Sequence, residues 1–307
     1  MKKQVGVLNV ALPWSLGLLA LLSGLMLGCG ASADGEERGE LIVALTSDMP
    51  VPDDITDVQM EVFGSRSADF DTLTWSGPVD FREEPGEIPL PATLALVSGT
   101  DPSRPVKVMV RAYQEIAGER YLRLRADRVT TAPKLGKAVL QIPMEWLCTA
   151  SAQDVSDVDT LCPDGQTCIA GVCESNVVNL ADLPSYDDWV GAQPAGSCFD
   201  AKGCFENVNL YSIVNSTSCL MDYPNTDVGV NFAMVLSDKS AGVCNDSGKC
   251  WVVLDYGTQT GWRESPTSGR VVQLPRRVCE LHTLGKLQGV AVTTSCPTKT
   301  PSIGLCR

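Results

Sequence analysis

Residues 106–125 read VKVMVRAYQEIAGERYLRLR. Val106, Val108, Val110 and Ala112 alternate with Lys107, Met109, Arg111 and Tyr113. Beyond Gly118, Leu122 and Leu124 alternate with Tyr121, Arg123 and Arg125. Successive side chains of a strand leave on opposite faces, so this period of two predicts strands with one face on a core and one in water. The same pattern extends outward. Residues 41–47 (LIVALTS) form an apolar run. Val58, Met60 and Val62 alternate with Gln59, Glu61 and Phe63, and Ala138, Leu140 and Ile142 close the series. Less regular stretches at 70–75 and 87–97 bring the strand count to about seven. Turn-forming residues at Gly64, Gly77, Pro78, Gly99, Pro102 and Gly118 separate the runs.

Seven short strands within 40–147 predict an antiparallel sandwich, immunoglobulin-like or prealbumin-like in architecture. The cysteine–tryptophan pattern of a true immunoglobulin domain is missing. At Cys148 the character of the chain changes. Cys148, Cys162, Cys168 and Cys173 crowd into 148–173, which resembles the small cysteine-rich knots of many secreted proteins and is too short to build a core without bridges. An acidic linker, 174–197, leads to 198–307. That segment carries Cys198, Cys204, Cys219, Cys244, Cys250, Cys279, Cys296 and Cys306 among strand candidates at 208–214, 228–236, 249–255, 270–274 and 289–295. The expected fold is therefore mainly β throughout: a sandwich, a knot, and a second, disulfide-stapled β domain. A cysteine followed by a second one six residues later recurs at 162, 198 and 244, each time with an Asp two residues after the first, which suggests a shared structural role. CNDSGKC (244–250) lies between two strand candidates and reads as a hairpin closed by its own bridge. If no bridge crosses between the two clusters, roughly 300 pairings remain open.

The N-terminus carries an address. Lys2 and Lys3 precede the apolar run VGVLNVALPWSLGLLALLSGLML (5–27), and no acidic residue occurs before Asp34. The run ends in Met26, Leu27, Gly28 and Cys29. This resembles the lipobox of bacterial lipoproteins, with Met26 where the family usually has Leu. The resemblance implies a signal peptide at 1–28, cleavage before Cys29 and diacylglycerol on its thiol. Gly30 in place of Asp implies an outer-membrane anchor, facing periplasm or cell surface. An uncleaved anchor helix is the alternative, because the run is long enough to span a bilayer. Residues 29–39, small and charged, read as a flexible tether. Lipidation of one of thirteen cysteines leaves an even twelve, as an oxidising compartment and disulfides require.

The net charge of −13 argues against nucleic acid or anionic lipid as partner. His282 is the sole histidine, and HExxH, GxSxG and phosphate-binding glycine loops are missing from the sequence. No catalytic set is legible, although carboxylate pairs alone hydrolyse glycosides. Three constellations remain as candidates. Asp154, Asp157, Asp159 and Asp164 form an oxygen-rich stretch of the kind that holds Ca²⁺, against the plainer reading of a solvated connector. Trp251, Tyr256 and Trp262 (WVVLDYGTQTGW, 251–262) would form an aromatic platform for a ligand. Trp262 follows a glycine-bounded loop and is the one expected to be exposed, whereas Trp251 starts a strand and is expected in the core. Arg120, Arg123, Arg125 and Arg128 form a basic run whose functional reading is anion binding. Arg123 and Arg125 sit opposite Leu122 and Leu124, as a solvent face should. The function expected is a membrane-anchored extracytoplasmic lipoprotein with a structural or ligand-binding role, its partner an envelope polysaccharide or protein and no cofactor required. A carboxylate-based hydrolase and a calcium-stabilised scaffold are the alternatives.

Overall fold

The computed structural model describes residues 38–64, 70, 72–80, 90–97, 101–149, 162–191, 198–211, 213, 217–223, 229–237, 241–257, 261–265 and 268–306. The expectations for the signal run, Cys29, Asp154, Asp157 and Asp159 lie outside the described residues. Among the described residues strand accounts for 51% and helix for 12%, so the protein is mainly β.

The alternating runs form β1 (Glu40–Ser47), β2 (Asp57–Gly64), β3 (Thr72–Asp80), β4 (Ala92–Val97), β5 (Pro105–Ile116), β6 (Glu119–Thr131) and β7 (Lys137–Met144). One sheet has the order β3-β2-β5-β6 and is antiparallel throughout. The other has the order β4-β1-β7. Here the antiparallel expectation needs a correction, because β1 pairs antiparallel with β4 but parallel with β7, Leu41 standing opposite Ala138. Inner-face residues of both sheets make one core, with Leu41, Val43 and Leu45 from β1 meeting Val58, Val108, Val110, Leu124, Leu140 and Ile142. The β5–β6 turn places Ala117 and Gly118 at positive φ, 54° and 85°. Such two-residue turns match the right-handed twist of the strands they join.

A 3-10 turn at Trp146–Cys148 ends the sandwich and leads to the hairpin of β8 (Gln166–Ile169) and β9 (Val172–Ser175). Cys148–Cys168 and Cys162–Cys173 staple this hairpin. Then follow α1 (Tyr186–Gly191), α2 (Ala201–Phe205), β10 (Leu210–Tyr211), β11 (Leu220–Asp222), β12 (Asn231–Leu236), β13 (Val243–Cys244), β14 (Cys250–Leu254), β15 (Arg263–Ser265), β16 (Ser268–Gln273), α3 (Arg276–Thr283) and β17 (Leu287–Thr293). They build a sheet of order β10-β17-β12-β14-β13 and a smaller one of order β11-β16-β15. All six residues of β12 are buried because it has a core on each face. Phe232, Met234 and Leu236 point to one core, with α3 residues Val278, Cys279 and Leu281. Ala233 and Val235 point to the other, with Phe205 of α2.

The remaining bridges are Cys198–Cys306, Cys204–Cys296, Cys219–Cys279 and Cys244–Cys250. None crosses from the 148–173 cluster to the later one. Of the three recurring cysteine pairs only Cys244 and Cys250 join each other, across the register of β13 and β14. At 162 and 198 both members bond elsewhere, so the repeat has no common structural role. Helices α1 to α3 are additions that the sequence pattern did not announce.

Candidate functional site: a connector pocket beside a buried charge cluster

Residues 176–185, read from sequence as part of an acidic linker, pack along the open side of the sandwich. Val129 of β6 donates its N–H to Asn176 O at 2.8 Å and accepts from Val178 N at 2.8 Å. On the other sheet, Val139 of β7 donates to Pro184 O at 2.9 Å. Asn176 Nδ2 donates to Asp127 Oδ2 at 2.6 Å, and the N–H of Asp127 donates to Thr167 Oγ1 of β8 at 3.1 Å. The segment thus ties the edge strand of one sheet to the edge strand of the other. It continues into α1, whose Trp189 covers Ile42, Ala44 and Val139 on the outer face of the β1 sheet. That cover explains why β1 is apolar on both faces.

Between the connector and the strands lies a pocket of about 450 Å³. Its walls are apolar where β7, β8 and the connector contribute Leu140, Ile169, Val178 and Leu183, and Gln141 and Asn179 add amide groups. Glu174 and Asp182, both exposed, lie at its margin, and Arg128 of β6 completes the lining. A pocket of this size, in which an apolar wall faces polar groups from Arg128, Gln141, Glu174, Asn179 and Asp182, has room for a small molecule.

Beside it, where the sandwich meets the stapled module, charges are buried. Lys299 is 0% exposed and its ammonium pairs with Asp255, at the end of β14. The backbone of Lys299 is fixed by its N–H donating to Asn231 Oδ1 at 2.7 Å and by Tyr256 N donating to Lys299 O at 2.8 Å. Asp48, following β1, accepts the N–H of Trp146 at 2.7 Å. Burial, with the Asp255 charge adding to it, pushes the Asp48 carboxyl up to about 7. Glu145 accepts the N–H of Ala170, and burial raises its carboxyl well above the usual range. The Asp48 charge adds to the rise at Glu145, so the two buried carboxyls titrate as a coupled pair. Both raised carboxyls are buried, so they are not placed to meet a substrate.

The other sequence candidates fall elsewhere. Trp262 is the correction among the aromatics: it is 2% exposed, its ring 4.6 Å from Phe232 and 4.8 Å from Tyr256. Trp262 N donates to Asp255 O at 2.9 Å, and the indole belongs to the core. Trp251 is fully buried, and Tyr256 alone of the three is exposed, at 43%. No platform of three rings is presented to solvent. Asp164 is exposed on the turn before β8, and no group of three or more metal-ligating side chains occurs among the described residues. The basic run is divided. Arg120 pairs with Asp57 and lies 3.5 Å over the Tyr113 ring, and Arg125 reaches Asp127 at 3.9 Å, whereas Arg128 turns inward. The signal for that was in the sequence. Arg128 follows Leu124 and Ala126 on the even-numbered face. Comparison with protein-family models, with curated proteins and with solved structures finds no match to this chain.

Proposed function

We propose that the chain is an extracytoplasmic binding lipoprotein, anchored by lipid on Cys29 and tethered through 29–39. In this reading the connector pocket holds a component of the cell envelope, drawn from a polysaccharide or a protein. The pocket is the observation that carries it. A segment hydrogen-bonded to both sheets closes one side of the sandwich and frames a pocket of about 450 Å³. Six disulfides support an oxidising, extracytoplasmic setting.

Two measurements on the full chain test the reading. Intact mass after membrane extraction should fit a chain that begins at a lipidated Cys29 and takes up alkylating agent only after reduction. A mass retaining residues 1–28 removes the anchor. Thermal melting with solubilised envelope fractions should rise for the unsubstituted chain and not for Val177→Trp, which fills the mouth of the pocket from an exposed position on its rim. An equal rise in both, or none in either, removes the pocket as the binding site.

A further inference from the structure

Period two along β6 puts Leu124, Ala126 and Arg128 on one face, opposite Ala112, Val110 and Val108 of β5 in register. The first two of these β6 side chains belong to the sandwich core. Arg128 continues the same face and is 8% exposed, so a guanidinium is held inside the sandwich wall. Arginine stays charged at any physiological pH, and a buried charge without a partner is strongly penalised. Arg111, Arg120 and Arg125 of this sheet have carboxylates at ion-pair distance: Arg111 meets Glu61 at 2.6 Å, Arg120 pairs with Asp57, and Arg125 approaches Asp127. Arg123, half-buried, feels only the charge of Asp54. Arg128 has no carboxylate at that distance either: among the described residues no acceptor bonds its guanidinium, and Glu145, Glu174 and Asp127 act on it from farther away. These acids have other partners or stand at the pocket's margin. Asp127 is held by Asn176 and, at 3.4 Å, by Lys107; Glu145 accepts from Ala170; Glu174 is exposed on the hairpin.

We propose that Arg128 is the anchor of a binding site for a small monocarboxylate with an apolar body, seated in the connector pocket. A carboxylate matches the planar fork of a guanidinium through two parallel hydrogen bonds. The apolar part lies against Leu140, Ile169, Val178 and Leu183. A single negative charge is favoured over the two of a dianion such as phosphate because Glu174 and Asp182 line the same pocket. The inference rests on the connector pocket being the ligand site, and it adds the chemical class of the ligand and the residue that reads it.

The test is calorimetric titration of the full chain with N-acetyl-leucine, with its neutral amide, and with inorganic phosphate. The acid should bind saturably with a Kd of about millimolar, in keeping with a ligand of this size. The amide should bind at least about tenfold more weakly, because it cannot supply the charged bidentate pair. Arg128→Met should lose the acid by a similar factor. Arg128→Lys should fall between them. Equal binding of acid and amide, tighter binding of phosphate, no saturable heat from the acid, or undiminished affinity in Arg128→Met overturns the proposal. The acid–amide comparison uses the unsubstituted chain and decides the matter even if Arg128→Met fails to fold. Failure here is distinct from failure of the pocket itself. Envelope fractions that raise the melting temperature of the unsubstituted chain and not of Val177→Trp keep the pocket, while acid and amide binding alike remove only the carboxylate.

Discussion

Lys299 and Asp255 pair out of reach of solvent, with Asp48 near enough to feel both charges and Glu145 that of Asp255. Removing one partner of such a pair strands the other. Lys299→Met should cost about 3–5 kcal/mol in guanidinium denaturation, and adding Asp255→Asn should restore part of the loss. The raised carboxyls give the protein a pH dependence whose sign follows from linkage. Asp54 stands at about 6 and Asp48 at about 7, against about 4 in an unfolded chain, and Glu145 is raised well above its ordinary value. Each binds its proton more tightly when folded, so its contribution is complete below about pH 4 and is lost as pH rises through the folded value. The melting temperature should therefore fall as pH rises from about 4 to about 7. Asp48 faces Asp255, Glu145 and the Lys299 ammonium, and contributes up to about 1.4 kcal/mol for each pH unit between its two values. Asp48→Asn keeps an acceptor for Trp146 N–H and cannot ionise. It should flatten the profile between about pH 4 and about pH 7 and melt higher than the unsubstituted chain at pH 8; an unchanged slope would assign the effect to Glu145 and Asp54. Little of this cluster was legible beforehand. Its acids are scattered at 48, 145 and 255, beyond the reach of any local pattern, and only the fold brings them together. Arg128 differs, since the alternation that identified β6 already placed it on the inner face.

The strands were legible where one face packs and the other does not, as in β2, β5 and β6. Their partners were not, because period two specifies which side chains turn inward and says nothing about which strand lies alongside. The parallel β1–β7 pair is the case in point. Connector residues 176–185 escaped for a related reason: they bind both sheets through backbone groups, and backbone hydrogen bonds leave no periodicity in the side chains. Helix α3 is only eight residues long, and its buried face, Val278, Cys279 and Leu281, is too brief to stand out. Disulfide pairing was legible only for Cys244 and Cys250, whose flanking strand candidates implied a hairpin. The bridges also differ in what they constrain. Closing a longer loop removes more freedom from the unfolded chain, with the gain growing as the logarithm of loop length. Cys198–Cys306 spans 108 residues and Cys244–Cys250 spans 6. Paired alanine replacement should cost about 5 kcal/mol at the first and about 2 kcal/mol at the second, read as a shift in denaturation midpoint at constant slope. Equal costs would show that local packing around β13, not loop closure, sets the value of the short bridge.

Residues 37–307 form one compact unit even though the sequence reads as successive modules. The joint lies at the end of β7. Trp146 packs against the sandwich core and the second core together, and Leu147 belongs to the second. Asp54 of the sandwich accepts the N–H of Gly242 at 2.8 Å. Gly242 has φ of +79°, and a Cβ there would come within 2.5 Å of Trp251 O, so glycine is required for that approach. Around these contacts sits the buried cluster of Asp48, Glu145, Asp255 and Lys299, whose members come from both sides of the joint. A joint that buries charge across itself has little tolerance for partial separation, because opening it would expose the cores and rearrange the charges at once. The unsubstituted chain should therefore unfold in a single calorimetric transition, with calorimetric and van't Hoff enthalpies equal. Trp146→Ala removes the side chain shared by both cores, at a cost of about 3 kcal/mol. It should split the transition in two, with the disulfide-stapled part melting last. If the variant still melts in one step, the coupling resides in the polar cluster, and Lys299→Met should be the substitution that separates the two parts.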